Sequence, residues 1–126
     1  MLFARSALVL ASRVAGLPAP VDGVTPELDD LSVVEAAATA AAGLGFGGKL
    51  CVHPRQVDAV HAGLRPTEAE VEHAGRVLAA ATAGGAARVD GQMIDRPVLA
   101  RARRVLQRHG SLPQESGHMP SNGRSA

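Results

Sequence analysis

The spacing of apolar residues along the chain predicts helices with short strands between them. Apolar residues recur every three or four positions, the spacing of one helix face, in residues 7–14, 32–43, 54–63, 67–81 and 95–110. Two shorter apolar runs, 19–24 and 50–52, have the length of strands. Because single strands alternate with helices in the first half of the chain, the pattern predicts an α/β fold.

Residues that favour helix ends mark the boundaries of these segments. Ser32 and Thr67 each stand three positions before a glutamate, which is the spacing of a capping box. Pro54 suits the first turn of a helix, where its missing N–H costs nothing. Glycines follow the helical segments at Gly16, Gly43, Gly63, Gly84 and Gly110. We therefore expect each helix to end close to a glycine.

The same pattern divides the chain into three parts. Residues 1–65 contain both predicted strands, and residues 66–110 form a helical extension with a brief extended stretch around an Asp90-Gly91 turn. In the helix of residues 54–63 we expect Val57 and Val60 to face the core. Residues 111–126 are rich in Ser, Pro, Gly and polar residues, which predicts a disordered tail.

The glycine-rich segment 43–54, GLGFGGKLCVHP, is the centre of this organisation. Its apolar run 50–52 is bounded by glycines and a proline, which predicts a buried strand. His53 follows that strand, at the end where the sites of α/β proteins lie. Lys49 precedes it, so we expect a surface or loop-anchoring lysine rather than a phosphate ligand.

Composition limits the kinds of partner. The net charge is +1 with acids and bases interspersed, and only 2% of residues are aromatic, so neither a basic stripe nor base-stacking side chains predict nucleic-acid binding. No apolar run approaches the roughly 20 residues of a membrane span, so no membrane partner is expected.

The single Cys51 cannot form an internal disulfide, which indicates a reducing compartment and predicts a cytoplasmic protein. We expect its thiol to be buried and structural. The first 19 residues contain Arg5, Arg13 and no acid, so a transit peptide is an alternative to a first helix.

Three acids, Glu27, Asp29 and Asp30, fall in the loop after the first strand. Carboxylates in such a loop can bind a metal or act as bases. They also favour the positive end of the following helix, and this second interpretation is the better supported one.

Two further residues could carry chemistry. His53 can orient a ligand or can simply hold the turn at Pro54. Asp95 precedes a predicted helix, where its side chain is expected to cap the first turn. The residues alone favour the structural interpretation for both.

Four motifs resemble the citrate lyase beta subunit and malyl-CoA lyase family. They are ARS at 4–6, GLPAPVDGV at 16–24, GFGGKLCVHP at 45–54 and DGQMIDRP at 90–97. Together they extend in order from about residue 3 to 106. The resemblance implies the last two βα units of a TIM barrel, followed by a helical C-terminal extension.

The same resemblance implies roles for particular residues. Asp95 would be the catalytic base that reaches a neighbouring subunit's site and acts on the methyl group of an acetyl-CoA moiety. Val52, His53 and Pro54 would line the coenzyme A channel. The partner would be an acyl-CoA thioester, and the reaction a carbon–carbon cleavage of citryl-CoA or malyl-CoA type.

The resemblance also implies Mg²⁺, held by a Glu and an Asp on earlier barrel strands, and we expect those ligands to be absent from this chain. A complete barrel takes roughly 250 residues. We therefore expect an isolated chain that is inactive and poorly stable, and that forms a homo-oligomer or associates with a full-length homologue. Two alternatives stay open: a non-catalytic interaction module, and a coding region that begins further upstream.

Overall fold

The computed structural model describes residues 1–84 and 87–110. The predicted tail, 111–126, lies outside the described residues. The chain divides into two compact units, Met1–Arg65 and the part from Pro66 onward. No helix among the described residues is long and apolar enough to cross a membrane.

The first unit contains three helices and a two-stranded sheet. Its elements are α1 (Leu2–Val14), β1 (Val21–Asp22), α2 (Leu31–Leu44), β2 (Gly48–Lys49), a 3-10 turn (Pro54–Gln56) and α3 (Val57–Leu64). The strands are parallel, with Asp22 beside Lys49. The predicted α/β class is confirmed, although the described residues are mostly helical and form no closed barrel.

The second unit is a pair of helices joined by a β-hairpin. Its elements are α4 (Glu68–Thr82), β3 (Arg88–Val89), β4 (Gln92–Met93) and α5 (Arg96–His109). Asp90 and Gly91 both have positive φ, 51° and 78°, as the tight turn between two antiparallel strands requires. The predicted Asp90-Gly91 turn is confirmed.

The strand predicted at 50–52 is wrong, because strand pairing occurs two residues earlier. The backbone N–H groups of Gly47 and Leu50 donate to Pro20 and Asp22 of the neighbouring strand segment. At Gly47 a Cβ would lie 3.1 Å from the Cβ of Ala19, so the glycine allows the strands to approach closely. The apolar run follows this pairing and is therefore largely exposed.

Two predictions for the neighbours of that strand are also wrong. Cys51 is exposed, because it lies past the paired residues. Lys49 is the last residue of β2 rather than a residue before the strand, and its side chain is only 4% exposed. It does anchor a loop, because its Nζ donates to the carbonyl of Gly23 at 2.7 Å.

The helix ends confirm some predictions and correct others. Thr67 forms the predicted capping box with Glu70. At α2, however, the N-cap is Asp30, whose Oδ1 accepts from the Ser32 N–H, so Ser32 lies in the first turn. Gly45, with a φ of 102°, ends α2 in place of Gly43.

Gly63 does not end α3 but packs inside it. It is buried, and a Cβ there would lie 2.7 Å from the Cβ of Ala38 on α2 and would also meet the Glu35 carbonyl. Val60 is buried as predicted, whereas the prediction that Val57 faces the core is wrong, because its side chain is 39% exposed. Helices α2 and α3 can therefore pack this closely only because residue 63 is glycine and has no Cβ.

Three small apolar clusters form the core. Two lie in the first unit and one in the second: Val9 with Ala41 and Phe46; Val34 with Ala38 and Val60; Ala74 with Val77, Ala102 and Leu106. Alanine supplies many of these contacts, so each cluster buries little area. Apart from Val9, α1 has no buried residue.

Candidate functional site

The loops that follow β1 and β2 bring the polar groups of the first unit together. In parallel sheets the loops past the strand ends are where sites form. Here they carry the acids predicted as candidates, the segment Val52–Pro54, and two buried polar side chains, Asp22 and Gln56.

Asp22 is the centre of a buried ion-pair network. Its carboxylate accepts two hydrogen bonds from Arg5, at 3.1 and 2.8 Å, and one from Lys49 Nζ at 3.2 Å. Burial opposes its ionisation, but the hydrogen bonds from Arg5 and then Lys49 outweigh burial and lower the pKa of Asp22 below its usual range. The Arg5 guanidinium also lies over the Phe46 ring, 5.5 Å from its centroid. This network joins α1 to the ends of both strands.

Gln56 ties the two loops together. Its Oε1 accepts from the Val52 N–H at 2.9 Å, and its Nε2 donates to the carbonyls of Thr25 and Glu27 at 2.8 and 2.7 Å. The residue is 1% exposed. Sequence reasoning missed it. The local pattern held no signal for it, because Gln56 is one of several polar residues after Pro54, with Arg55 and Asp58.

His53 begins the 3-10 turn as its N-cap. Its Nδ1 accepts from the Arg55 N–H at 3.1 Å, and its carbonyl accepts from the Gln56 N–H. His53 and the neighbouring residues Val52 and Pro54 are exposed. Because Nδ1 is an acceptor, the proton of the neutral ring is on Nε2, which is available as a donor.

The three loop acids make local hydrogen bonds. Glu27 Oε1 accepts from the N–H groups of Asp29 and Asp30, and these bonds lower the pKa of Glu27. The Asp30 carboxylate accepts from the Ser32 hydroxyl and N–H, which lowers its pKa in the same way. The helix-end interpretation is confirmed for Asp30.

Among residues 1–84 and 87–110, no group of three or more His, Cys, Asp or Glu side chains could hold a metal ion. Magnesium is commonly held by one or two carboxylates together with water and substrate oxygens, so a site of that kind needs no such cluster.

Asp95 lies in the second unit, at the N-cap of α5. Its Oδ1 accepts from the Val98 N–H at 3.0 Å, as the sequence predicts for a cap. The residue is exposed, and no other side chain in the described part of the chain bonds its carboxylate. One oxygen is thus free to meet a group from outside the chain.

A second carboxylate, Asp90, stands on the turn of the hairpin before Asp95. Its Oδ2 lies 3.1 Å from both Arg76 Nη2 and His73 Nδ1. The hydrogen bond from Arg76, and then that from His73, lowers the pKa of Asp90. This pairing ties the exposed turn to α4.

Comparison with known proteins identifies the family. No family model matches the sequence. A citrate lyase subunit beta-like protein of Deinococcus radiodurans is 42% identical over 111 residues, which cover 84% of this chain and 39% of the relative. The citrate lyase subunit beta of Escherichia coli is 40% identical over 113 residues, which cover 86% and 37%. The chain thus spans about two fifths of the length of these relatives.

Solved structures agree with this comparison. The protein CitE from Mycobacterium tuberculosis, in complex with magnesium, acetoacetate and coenzyme A, aligns with a TM-score of 0.72 and 36% identity. The alignment covers 84% of this chain and 40% of that protein. A citrate lyase from Burkholderia xenovorans aligns with a TM-score of 0.66 and 29% identity, over 88% of this chain and 37% of that protein. The chain belongs to the citrate lyase beta subunit family, in which it matches a C-terminal portion.

Proposed function

We propose that this chain is the C-terminal part of a CoA-ester carbon–carbon lyase of citryl-CoA or malyl-CoA type. The observation that carries the proposal is the alignment with the Mycobacterium tuberculosis protein, whose structure contains acetoacetate and coenzyme A. A relative from Cereibacter sphaeroides, 34% identical over 103 residues, is a (3S)-malyl-CoA thioesterase, which also acts on an acyl-CoA. The proposed substrate is therefore an acyl-CoA thioester of a hydroxy acid.

In this proposal β1 and β2, with the helices that follow them, are the last two βα units of a TIM barrel. Two parallel strands leave an open edge on each side, which neighbouring strands would pair. Large apolar side chains support such neighbours, because Leu50 and Val52 are 56% and 49% exposed at the end of β2. Burying them against further strands would stabilise the unit.

Val52, His53 and Pro54 would line the coenzyme A channel. All three are exposed in the loop that follows β2, the side of a parallel sheet on which ligands bind. The Nε2–H of His53 can donate to an oxygen of the pantetheine or of a phosphate, because its Nδ1 is already occupied by the Arg55 N–H. Val52 and Pro54 would contact the apolar parts of the same ligand.

Asp95 would act as the base in a neighbouring subunit's site. One carboxylate oxygen caps α5 and fixes the side chain, while the other is available to take a proton from the methyl group next to the thioester carbonyl. In the cleavage direction the carbon–carbon bond would break as the substrate hydroxyl loses its proton to a base outside this chain, and the protonated Asp95 carboxyl would give its own proton to the enolate carbon that is released. The hairpin that carries Asp95 is exposed, which suits a residue that reaches another subunit.

Magnesium in this family would stabilise charge on the substrate oxygen. We propose that its protein ligands come from residues outside this chain, since residues 1–84 and 87–110 contain no cluster of three or more potential ligands. The protein would work in the cytoplasm, where acyl-CoA thioesters are available.

The test is complementation of a full-length relative in which the aspartate that aligns with Asp95 is changed to Asn. The chain is co-expressed with that relative, and citryl-CoA and malyl-CoA cleavage is measured with Mg²⁺. We expect the wild-type chain to restore turnover and Asp95→Asn to restore none. The matched control, Asp90→Asn, changes an exposed aspartate on the same hairpin and should restore turnover as the wild type does. Equal turnover with Asp95→Asn would contradict the assigned base.

A second candidate is a non-catalytic module that associates with a full-length homologue. The exposed apolar residues of the first unit favour it as much as they favour a barrel. Co-purification with the relative, without restored turnover, would support this module and exclude the lyase role. Metal-dependent cleavage by the isolated chain would contradict both proposals.

A further inference from the structure

Gln56 is a buried side chain that the proposed chemistry does not use, although it makes more contacts between loops than any catalytic candidate. Its amide accepts one hydrogen bond and donates two, so both of its polar atoms are satisfied. The residues that it joins, Val52, Thr25 and Glu27, belong to the two loops that follow β1 and β2. An interior amide with this many partners is costly to remove, since each partner would be left unpaired.

The contacts of Gln56 surround His53 on both sides along the chain. The side-chain Oε1 binds the Val52 N–H, one residue before His53. The backbone N–H of Gln56 binds the carbonyl of His53 itself at 3.0 Å. With these two bonds formed, the His53 backbone is extended and its Nδ1 reaches the Arg55 N–H at 3.1 Å. The direction of the ring and the position of its proton thus depend on the fold of residues 52–56.

The Nε2 end of the Gln56 side chain connects the loop of residues 52–56 to the loop that follows β1. The carbonyls that accept from its Nε2 belong to residues 25 and 27, and Glu27 in turn binds the N–H groups at the start of α2. The histidine loop is therefore fixed to α2 through one amide. Without that amide the loop would lose its side-chain hydrogen bonds to residues 25 and 27.

We propose that Gln56 is a positioning residue that holds His53 in the orientation and the Nε2–H tautomer needed to bind the acyl-CoA. The ligand's identity rests on the function proposed above, but the effect of Gln56 on His53 does not. Gln56 acts through His53 and makes no contact with the ligand.

The first test measures the His53 ring directly. The full chain, labelled with ¹⁵N, is studied by two-bond ¹H–¹⁵N correlation above the pH at which histidine is protonated. In the wild type we expect an unprotonated Nδ1 and a protonated Nε2 at His53. In Gln56→Ala the two nitrogen resonances should move toward the average of a free imidazole that exchanges between tautomers. His61, on the exposed side of α3, should not change.

Gln56→Met separates lost hydrogen bonds from lost volume. Methionine has nearly the same size but neither donates to the carbonyls nor accepts from Val52 as an amide does. We expect the same change at His53 and faster hydrogen exchange at the Val52 N–H. Val34→Ala is the control for general destabilisation, because Val34 is buried in the same unit, in the apolar cluster with Ala38 and Val60. It should leave the His53 resonances unchanged.

The second measurement is the affinity for coenzyme A, by calorimetry. Gln56→Met should weaken binding about tenfold, the size expected for one lost hydrogen bond to a charged group. If the wild type does not bind coenzyme A while the His53 tautomer still depends on Gln56, the positioning of His53 stands and binding of coenzyme A by this chain alone is wrong. If Gln56→Met keeps the wild-type tautomer, or if the wild-type His53 already resembles a free imidazole, the positioning role is overturned.

Discussion

The two units of the chain are stabilised by different interactions, and among the described residues they also differ in how many large apolar side chains they expose. The first unit buries charged and amide side chains, Asp22 and Gln56, at its strand ends. Among its described residues the second buries apolar side chains only, and the ion pairs of Asp90 with Arg76 and His73 are on its surface. Among the described residues, every exposed large hydrophobic residue except Met93 belongs to the first unit.

This difference teaches which unit has surface that a neighbouring polypeptide could cover. A helical hairpin can satisfy its backbone within itself, and the second unit does so with two capped helices. A two-stranded parallel sheet cannot, because its outer edges are unpaired. The first unit therefore relies on specific polar contacts at its strand ends, while large apolar side chains such as Leu50 and Val52 stay exposed.

The largest expected effect tests the buried network of the first unit. Asp22→Asn removes the negative charge opposite Lys49, whose side chain is 4% exposed, and so leaves a buried cation uncompensated. We expect the free energy of unfolding to fall by about 3 kcal/mol. Urea denaturation would measure this loss, and amide hydrogen exchange in α2 would show that it occurs in the first unit. Asp58→Asn, an exposed aspartate on α3, is the control and should change little.

The same network predicts an acid response. The pKa of Asp22 is lower in the folded state than in the unfolded chain, where it is about 3.9. Its contribution to stability is therefore complete above about pH 4 and is lost as the pH falls through the lower folded pKa. The wild type should lose first-unit protection over this range, and Asp22→Asn should lose much less. Equal acid sensitivity of the two proteins would contradict the role of Asp22.

The next prediction compares one glycine from each unit. Gly63→Ala places a methyl group 2.7 Å from the Cβ of Ala38, so α2 and α3 must separate. We expect a loss of about 2 kcal/mol, typical of overpacking. Gly75→Ala on α4 meets no atom within 4 Å and should stabilise the chain by up to about 1 kcal/mol through helix propensity. Thermal unfolding by circular dichroism distinguishes the two signs.

A smaller effect is expected at the start of α4. Thr67→Ala removes the hydroxyl that accepts from the Glu70 N–H at 3.2 Å. The loss should be about 1 kcal/mol and should be confined to the second unit. Ser32→Ala is the matched control, because Ser32 has the same sequence spacing to a glutamate, but its hydroxyl donates to the Asp30 carboxylate and accepts no N–H of α2. An equal loss in both variants would contradict the assignment of Asp30 as that cap.

The smallest effect is expected at the surface ion pairs of the hairpin. Asp90→Asn removes a carboxylate that is 62% exposed and paired with Arg76 and His73. Solvent screens such pairs, so we expect no measurable change in the denaturation midpoint. A large decrease would mean that the hairpin is held by these charges rather than by its apolar contacts.

Much of the helical structure follows from the sequence, because periodicity and caps act over a few residues. The Thr67 capping box, the Asp90-Gly91 turn and the Asp95 cap are local and were predictable. The position of β2 was not predictable. The apolar run 50–52 predicted a strand there, but pairing with the segment 19–22 places the strand at Gly48–Lys49. Periodicity identifies an apolar run but not the positions at which a distant segment comes closest.

The candidate site was less predictable for the same reason. The partners of Asp22 lie 17 and 27 residues away, and the carbonyls bound by Gln56 lie 31 and 29 residues away. No local pattern encodes such pairs. Asp95 and His53 could be singled out by family resemblance, but their roles in an enzyme remain predictions.

The exposure of Cys51 has a practical consequence. It is the only cysteine in the sequence and lies two residues past the C-terminal end of β2. A fluorophore attached to this thiol would report whether another polypeptide has docked near the end of β2, and no new cysteine would have to be introduced. Shielding of the dye by a full-length relative would reveal this docking even in a preparation that turns over no thioester.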